Sequence, residues 1–183
     1  MSLRYAILGF LSVQPMSGYD LKKAFDGSVG YFWTADQAQI YRTLTGLIEG
    51  GLVEASHIVQ EGRPDRKEHR LTDAGRAELD TWLASPETPQ PTREPFLLKI
   101  FFAGRLGREP VRRMLAQRLD AGEQQLAALQ EIAAAVDHEL AGQAIDLEQR
   151  LRNATLDNGI KHTQAEIEWA RDLLDRIEQE IPE

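Results

Sequence analysis

The sequence contains no cysteine, which excludes disulfide bonds and thiolate metal sites. It also lacks any run of about 18 apolar residues, the length that a membrane-spanning helix requires. Its first residues do not form the uninterrupted apolar stretch of a signal peptide. These absences are consistent with a protein of the reducing cytoplasm that does not bind membranes, and we predict that location.

Positive charge is scarce as well. Lys and Arg number 21 against 29 Asp and Glu, so the net charge is −8, which at first sight argues against a nucleic-acid partner. The imbalance is uneven, because residues 1–84 carry nine basic and eleven acidic side chains and therefore only −2 of the total. A DNA-binding module needs one basic face, not a basic average, so the N-terminal part is still a candidate.

The motifs of common enzyme sites are missing. No G-x-S-x-G, P-loop or G-x-G-x-x-G occurs, and the four histidines are scattered. His162 and Glu166 are four residues apart on a predicted helix, but two ligands make a poor metal site. We therefore predict that the protein is not an enzyme and has no metal or cofactor.

A proline-rich segment divides the chain. Residues 85–95, SPETPQPTREP, contain four prolines and cannot continue a helix, so they indicate a semi-rigid linker. The predicted domains are residues 1–84 and residues 96–183.

The N-terminal domain begins with three predicted helices. Apolar residues at helical spacing from Leu3 to Leu11 indicate the first. Ser17 is expected to cap the second, and Thr34 or Asp36 the third. We expect the aromatic residues 31–33, which precede the third helix, to pack into the core.

A change of period after Gly50-Gly51 predicts a β-hairpin. Residues 52–59 and 66–71 have the composition of strands, and the segment between them has that of a turn. Thr72 then caps a fourth helix that ends near residue 83. Three helices followed by a two-stranded hairpin is the plan of the winged helix-turn-helix.

The third helix is the candidate DNA reader. Opposite its buried stripe lie the small residues Ala38 and Gly46, and Gln39 and Arg42 can hydrogen-bond purine edges in the major groove. Such a face is also typical of a solvated helix, and the adjacent hairpin favours the DNA reading. The predicted DNA contacts are Ser17, Tyr19, Gln37, Gln39, Tyr41, Arg42, Thr45, Arg63, Arg66 and Lys67. For Ser17 we consider plain helix capping the more probable role, and Tyr41 could reach a phosphate.

The C-terminal half predicts a mainly α fold with long helices. The apolar density of residues 95–105 suggests burial at a hinge or an interface, and two heptad seams follow, as in a coiled coil. One helix pair has no globular body to bury both seams, so we expect a homodimer. The predicted interface comprises Leu115, Leu119, Leu126, Leu129, Val136, Ile167, Leu174 and Ile177. Trp169 lies near this seam and could stack on a planar effector, although interface packing is commoner.

Several N-terminal motifs together resemble the PadR family of bacterial transcription regulators. The similar segments are residues 6–11 (AILGFL), 17–21 (SGYDL), 32–33 (FW), 39–44 (QIYRTL), 51–53 (GLV), 63–67 (RPDRK) and 71–75 (LTDAG). Residues 94–102 and Trp169-Ala170 resemble the helical dimerisation domain of its longer-tailed branch. His69 stands where the family often has an aromatic residue.

The resemblance implies a homodimer that binds a palindromic operator in double-stranded DNA. It also implies repression that a small, often aromatic, effector relieves, although some relatives activate or have no known effector. An alternative from the residues alone is a protein-interaction module, in which the winged helix docks another protein. We predict a sequence-specific transcriptional regulator that acts as a repressor.

Overall fold

The computed structural model describes residues 2–58, 66–87 and 93–180, and these fall into two compact units, Met1–Pro89 and Gln90–Glu183. The first unit contains four helices and a small sheet, and the second contains three helices and one 3₁₀ turn. In chain order the elements are α1 Ser2–Val13, β1 Met16–Ser17, α2 Gly18–Ser28, α3 Gln37–Glu49, β2 Val53–Ile58, β3 Arg66–Leu71, α4 Asp73–Ala84, α5 Pro95–Ala103, a 3₁₀ turn Gly104–Leu106, α6 Arg108–Glu139 and α7 Leu147–Glu180.

Side-chain caps fix where the helices of the first unit begin. Ser17 and Asp36 each accept a hydrogen bond from the backbone three residues later and form capping boxes at the starts of α2 and α3. Thr72 caps α4 through Gly75 N. The predicted caps at Ser17 and Thr72 are therefore confirmed, and Asp36 rather than Thr34 caps α3.

The sheet has three antiparallel strands in the order β1-β3-β2. β2 and β3 form the predicted hairpin, with Val53 opposite Leu71 and Ala55 opposite His69. The additional strand is β1, whose Met16 pairs with His69. The turn that joins β2 to β3, including Val59 and Arg63, lies outside the described residues.

The core of the first unit lies where α1, α2 and α3 meet. Its fully buried side chains include Ile7, Leu21, Phe25 and Ile40. The ring of Phe10 packs against that of Phe25 in this core, with 4.8 Å between the ring centroids. Burial of these apolar side chains is the main force that holds the helices together.

The prediction that residues 31–33 pack into the core was wrong for two of them. Phe32 is 55% exposed and Trp33 38% exposed. The amides of both residues donate to the Val29 carbonyl in a tight turn, at 3.1 and 2.8 Å. That turn directs the chain to α3 before either ring can enter the core, and the small Ala35 is buried instead.

The second unit is an antiparallel hairpin of α6 and α7 with α5 at one end. Leu115 and Ala170 are fully buried between the long helices, and Leu129, Ile167 and Ile177 are nearly so. The two heptad seams therefore bury each other in part within one chain, and a second chain is not needed to cover their most buried members.

Three further seam residues, Leu119, Leu126 and Val136, are half-buried, as is Leu174 on α7. A dimer interface formed by the eight predicted seam residues stays a prediction. Those of the eight that are already buried within one chain offer no exposed area to a second chain.

Pro95, predicted to end the linker, is the first residue of α5, where its missing N–H costs no helical hydrogen bond. Residues 88–92 of the predicted linker lie outside the described residues. Among the helices described, none has the length and apolar character needed to cross a membrane.

Candidate nucleic-acid interface

The outer face of α3 is polar and open to solvent. Ile40, Leu44 and Leu47 point into the core at helical spacing. The side chains of the opposite face are exposed, and these are Gln37, Ala38, Gln39, Tyr41, Arg42, Thr45 and Gly46. The small residues at both ends of this face leave room for a DNA groove to approach the backbone.

Gln39 has a structural task in addition to its predicted reading role. Its backbone N–H donates to Asp36 Oδ1 at 2.7 Å, and its Oε1 accepts from the Asp36 N–H at 3.3 Å. The second bond is long and therefore weak. Its exposed side-chain amide is therefore only weakly held, and a contact from it to an adenine stays a prediction.

The side chain of Arg42 makes no hydrogen bond or ion pair with any residue that the structure describes, and it is exposed. Its guanidinium is therefore free to form a bidentate contact, the commonest specific contact to guanine. Thr45 lies close to one turn further along α3, where its hydroxyl donates to the Tyr41 carbonyl at 3.1 Å.

The start of α2 lies directly against α3. A Cβ atom at Gly18 would lie 2.6 Å from Cε1 of Tyr41 and 3.1 Å from its hydroxyl oxygen, so the phenol ring rests on this glycine. Tyr19, the next residue, is 66% exposed. The fold therefore places Tyr41, the predicted phosphate contact, against the residue that precedes Tyr19. The contact between Tyr41 and Gly18 could not be predicted from the sequence, because it joins residues from two helices.

The hydroxyl of Ser17 is already used to cap its own helix, α2. Its hydroxyl donates to Asp20 Oδ2 at 2.6 Å and accepts from the Asp20 backbone N–H at 3.2 Å. The Asp20 carboxylate places negative charge at the α2 N-terminus, where it already compensates the helix dipole. This arrangement supports the capping role of Ser17 over direct phosphate binding.

The wing contributes Lys67, which is exposed near the start of β3. Side chains alternate along a strand, so Lys67 lies on the same face as His69 and Leu71, which are both buried. At Lys67 this face of the strand extends past the core and is open to solvent. The backbone of Arg66 pairs with Ile58, and Arg63 lies outside the described residues.

His69 cannot contact DNA, because it is only 3% exposed. Its Nδ1 lies 3.2 Å from the Met16 carbonyl, which can only accept, so Nδ1 carries the proton. Burial lowers the pKa of His69 below its ordinary value, the hydrogen bond to Met16 opposes that shift, and the charge of Lys67 adds to it. The neutral imidazole thus joins β1 to β3 inside the wing.

Trp169, the predicted effector contact, is half-buried in the second unit. Its ring meets Phe96 edge-on at 6.3 Å, and the guanidinium of Arg118 lies 5.1 Å above the Phe96 ring. Arg118 Nε donates to Glu166 at 2.7 Å. These contacts show Trp169 as part of the packing around α5, and a ligand role for it stays a prediction.

Comparison with known proteins shows which family the chain belongs to. The family model "Transcriptional regulator PadR-like family" matches residues 7–81, and "Virulence activator alpha C-term" matches residues 92–178. The negative transcriptional regulator PadR of Bacillus subtilis is 33% identical over 129 residues, which cover 70% of this chain and 71% of that protein. The chain belongs to the PadR-like family of transcriptional regulators. This confirms the predicted family and a role in transcription, and the proteins of the family are regulators, not enzymes.

A second relative matches more strongly over a shorter segment. The probable transcriptional regulator Rv1176c of Mycobacterium tuberculosis is 49% identical over 89 residues, 49% of this chain. The chain aligns with about half the length of that relative, 47%.

Solved PadR-like structures match both units. Bacillus subtilis PadR in complex with operator DNA has a TM-score of 0.82 at 28% identity, covering 97% of this chain and 99% of that one. The same protein with p-coumaric acid has a TM-score of 0.79 at 27% identity, covering 98% and 100%. The Vibrio cholerae virulence activator AphA has a TM-score of 0.76 at 34% identity, covering 96% and 98%. The predicted mainly helical winged-helix class is confirmed.

Proposed function

We propose that this PadR-like protein is a homodimer that binds an operator with two-fold symmetry and represses the genes beside it. The observation that carries the proposal is the α3 face, on which Gln39, Arg42 and Thr45 are exposed together while the opposite stripe is buried. The likeness to an operator-bound PadR supports the same use of the helix here.

The proposed contacts divide by chemistry. Base edges are read by Gln37, Gln39, Arg42 and Thr45, because their donors and acceptors distinguish base pairs in the major groove. Phosphates are held by the hydroxyls of Tyr19 and Tyr41, with Ser17 beside them as the cap of α2. The wing adds Arg63, Arg66 and Lys67 along the backbone, which increases affinity without adding sequence information.

A homodimer sets the geometry of the operator. Two reading helices related by a two-fold axis fit half-sites about 34 Å apart, one turn of DNA. Two copies of a modest basic face also neutralise twice as many phosphates, which offsets the weak charge of one N-terminal unit. Neither the proposed site nor the action requires a cofactor, and both fit a cytoplasmic protein.

Release by a small aromatic acid is the proposed regulation. Bacillus subtilis PadR has been crystallised with p-coumaric acid, a planar phenolic acid. Trp169 and Phe96 offer aromatic faces of the kind that such a molecule stacks on. An effector of this class would bind at those rings and lower the affinity for the operator.

Activation is a second candidate for the sign of regulation. The C-terminal half matches a model described by a virulence activator, and AphA itself is a virulence activator at 34% identity. An activator would use the same α3 face but would raise transcription from the bound promoter.

The deciding experiment is a fluorescence-polarisation titration with the duplex upstream of the protein's own gene, at about 50 and 200 mM salt. A scrambled duplex is the control. Tight, salt-sensitive binding that prefers the native duplex supports the regulator, and run-off transcription on that duplex then separates repression from activation. Equal or absent binding to both duplexes would favour the alternative of a protein-interaction module.

A further inference from the structure

The face of the β2–β3 hairpin that packs on the helices ends in two exposed polar side chains. Side chains alternate along a strand, so the register shows which residues share this face. From the core outward its opposite pairs are Val53 with Leu71, Ala55 with His69, and His57 with Lys67. Val53, Leu71 and His69 are buried, whereas both members of the last pair are exposed. We call His57 and Lys67 the wing pair.

The two side chains of the wing pair lie close enough to share a ligand. His57 stands directly opposite Lys67 in the antiparallel register, where Cβ atoms are about 5 Å apart. Neither side chain forms a hydrogen bond or an ion pair with any residue that the structure describes. An imidazole and an ammonium group therefore meet at one place with no acceptor from the described part of the protein.

The electrostatics of His69 indicate where the Lys67 ammonium lies. Burial is the main cause of the lowered pKa of His69, the hydrogen bond to Met16 opposes the shift, and the charge of Lys67 adds to it. Coulomb interactions weaken with distance, so the ammonium lies near the face that carries His69. This supports the placement of the wing pair on the core side of the sheet.

The acidic side chains of the described strand residues lie on the opposite face of the hairpin. There Glu54 stands opposite Arg70, and Glu68 stands opposite Ser56. The face that carries the wing pair has no Asp or Glu among the described residues of β2 and β3. Positive charge on this face is therefore not compensated within the described strands.

The helices that pack on the sheet do not supply a free carboxylate either. Asp20 of α2 already accepts two hydrogen bonds from the cap residue of its own helix. Glu49, the last residue of α3, lies at the core end of β2, and about 13 Å of strand separates that end from His57. Arg4 of α1 is paired with Glu78 of α4. An anion for the wing pair must come from outside the described residues.

The pairing of two cations across a hairpin is explained by an anionic ligand. A protonated His57 opposite Lys67 places like charges side by side, which destabilises a hairpin. A phosphate between them accepts a hydrogen bond from each group and replaces the repulsion by two charge-assisted contacts. The wing pair therefore has the chemistry of a phosphate site in which ligand binding favours the protonated imidazole.

We propose that His57 and Lys67 bind one backbone phosphate of the operator between them, and that His57 takes up a proton as the DNA binds. This inference rests on the proposed DNA-binding function and adds to it a contact residue and a dependence on pH. Histidine is the side chain whose ordinary titration falls between pH 5 and 8. Linkage is reciprocal, so if DNA binding favours the proton, the proton favours DNA binding. The affinity for the operator therefore rises as the pH falls through neutrality.

The position of the wing pair is suitable for a backbone contact. Val53 and Leu71, which begin this face, belong to the same core cluster as Leu44 and Leu47 of α3. The pair thus projects beyond the core on the side of the hairpin that packs with the proposed reading helix. Phosphate contacts beside a reading helix fix the register of a protein on its duplex and carry no sequence information.

Operator titrations by fluorescence polarisation at pH 8, 7 and 6 test the inference, with the full-length protein and constant ionic strength. The affinity of the parent protein should rise at least about threefold from pH 8 to pH 6, since uptake of one proton gives at most about tenfold per pH unit. His57→Gln keeps a neutral donor, so it should bind like the parent at pH 8 and lose the rise. His57→Lys carries a permanent charge and should bind at pH 8 as tightly as the parent does at pH 6.

His138→Gln is the matched control for the loss of a titrating side chain. His138 is exposed in the last turn of α6, outside the hairpin, and its replacement should leave the full rise in affinity. A circular-dichroism melt of each variant at each pH verifies that the titrated protein is folded. The salt dependence gives a second readout, because at pH 6 the slope of log K against log salt should be smaller for His57→Gln than for the parent by about one.

A double-mutant cycle tests whether the two side chains share one phosphate. At pH 6 the fold-loss in affinity of the combined variant His57→Gln with Lys67→Ala should be smaller than the product of the two single losses, because both remove the same contact. A combined loss equal to that product would mean two separate contacts, and the shared phosphate site would be wrong.

The pH series separates failure of this inference from failure of the proposed function. If the parent prefers its operator over a scrambled duplex but its affinity does not rise in acid, or His57→Gln rises equally, His57 takes up no proton on binding. The inference is then wrong and the regulator stands. If the parent does not prefer the operator at any of the three pH values, the proposed function fails and the inference fails with it.

Discussion

The phenol ring of Tyr41 rests on the backbone of Gly18, so that even one methyl group at position 18 would lie 2.6 Å from Cε1 of the ring. Tyr41 projects from α3, the proposed reading helix, and Gly18 is the first residue of α2. The absence of a side chain at position 18 therefore determines where the tyrosine hydroxyl lies relative to the proposed DNA-binding face.

Gly18→Ala should displace Tyr41 without unfolding the protein. The ring is 45% exposed and can swing outward, so we expect a stability change within about 1 kcal/mol and a clear loss of operator affinity. Affinity is measured by fluorescence polarisation and stability by thermal denaturation. Gly27→Ala, at a helical glycine with nothing within 4 Å of its Cβ position, is the matched control. Unchanged affinity for Gly18→Ala would show that the position of Tyr41 does not matter for binding.

Arg42→Ala should weaken specific binding by about 1–3 kcal/mol, as the loss of one bidentate base contact does. Binding to a scrambled duplex should change far less, because the arginine reads a base and does not hold the backbone. Arg150→Ala, at an exposed arginine of α7, controls for a general loss of charge. An equal loss on both duplexes would assign Arg42 to a phosphate instead.

Local chemistry made most of the first unit predictable. Caps such as Ser17 and Thr72 act through hydrogen bonds to residues three positions away, and a sequence shows such pairs directly. The strand β1 was not predictable, because two residues have no periodicity. It exists only because His69 of β3 offers a backbone partner to Met16.

Contacts between residues far apart in the sequence limited what could be predicted for the rest of the fold. Trp33 follows a turn in which its amide donates to the Val29 carbonyl, and the composition of residues 31–33 did not indicate that turn. A heptad seam likewise does not indicate whether its own chain or a second chain buries it. Gly122 illustrates the second point, since a Cβ atom there would lie 2.9 Å from Cγ1 of Ile167 in the same chain. The face of α3 could be predicted, whereas the tyrosine contact beside it could not.

Lys67→Ala should lower the affinity for all duplexes alike. A lysine that neutralises one phosphate releases about one counterion, so the slope of log K against log salt should fall by about one. The measurement is a series of titrations from low to high salt. Lys161→Ala, which removes a lysine paired with Asp157 on α7, should leave the slope unchanged. A slope unaltered by Lys67→Ala would exclude phosphate contact at this position.

Gly75→Ala should destabilise the first unit. A Cβ atom at this position would lie 2.1 Å from the Leu52 carbonyl oxygen, and backbone cannot move aside as a flexible side chain can. We expect a loss of about 1–3 kcal/mol in the free energy of unfolding, measured by urea denaturation. Gly9→Ala, within α1 and with open space at its Cβ position, should be neutral or stabilising by up to about 1 kcal/mol. Equal stability of the two variants would mean that α4 shifts freely on β2.

The buried imidazole of His69 should make the protein less stable in mild acid. Burial holds its folded-state pKa below the ordinary 6.5, whereas the unfolded chain takes up a proton near that value. The unfolded state therefore binds more protons as the pH falls below about 7, and the free energy of unfolding drops by at most about 1.4 kcal/mol per pH unit. The loss ends once the pH is below the folded-state pKa.

Urea denaturation between pH 8 and 5 measures this component, with the salt concentration held constant. His69→Gln removes the titrating group while keeping a donor for the Met16 carbonyl, so its stability should vary less across that interval. His57→Gln, which removes an exposed histidine from the neighbouring strand, is the matched control for the substitution. If His69→Gln follows the same pH profile as the parent, another group causes the acid sensitivity, and the hydrogen bond between His69 and Met16 has no part in it.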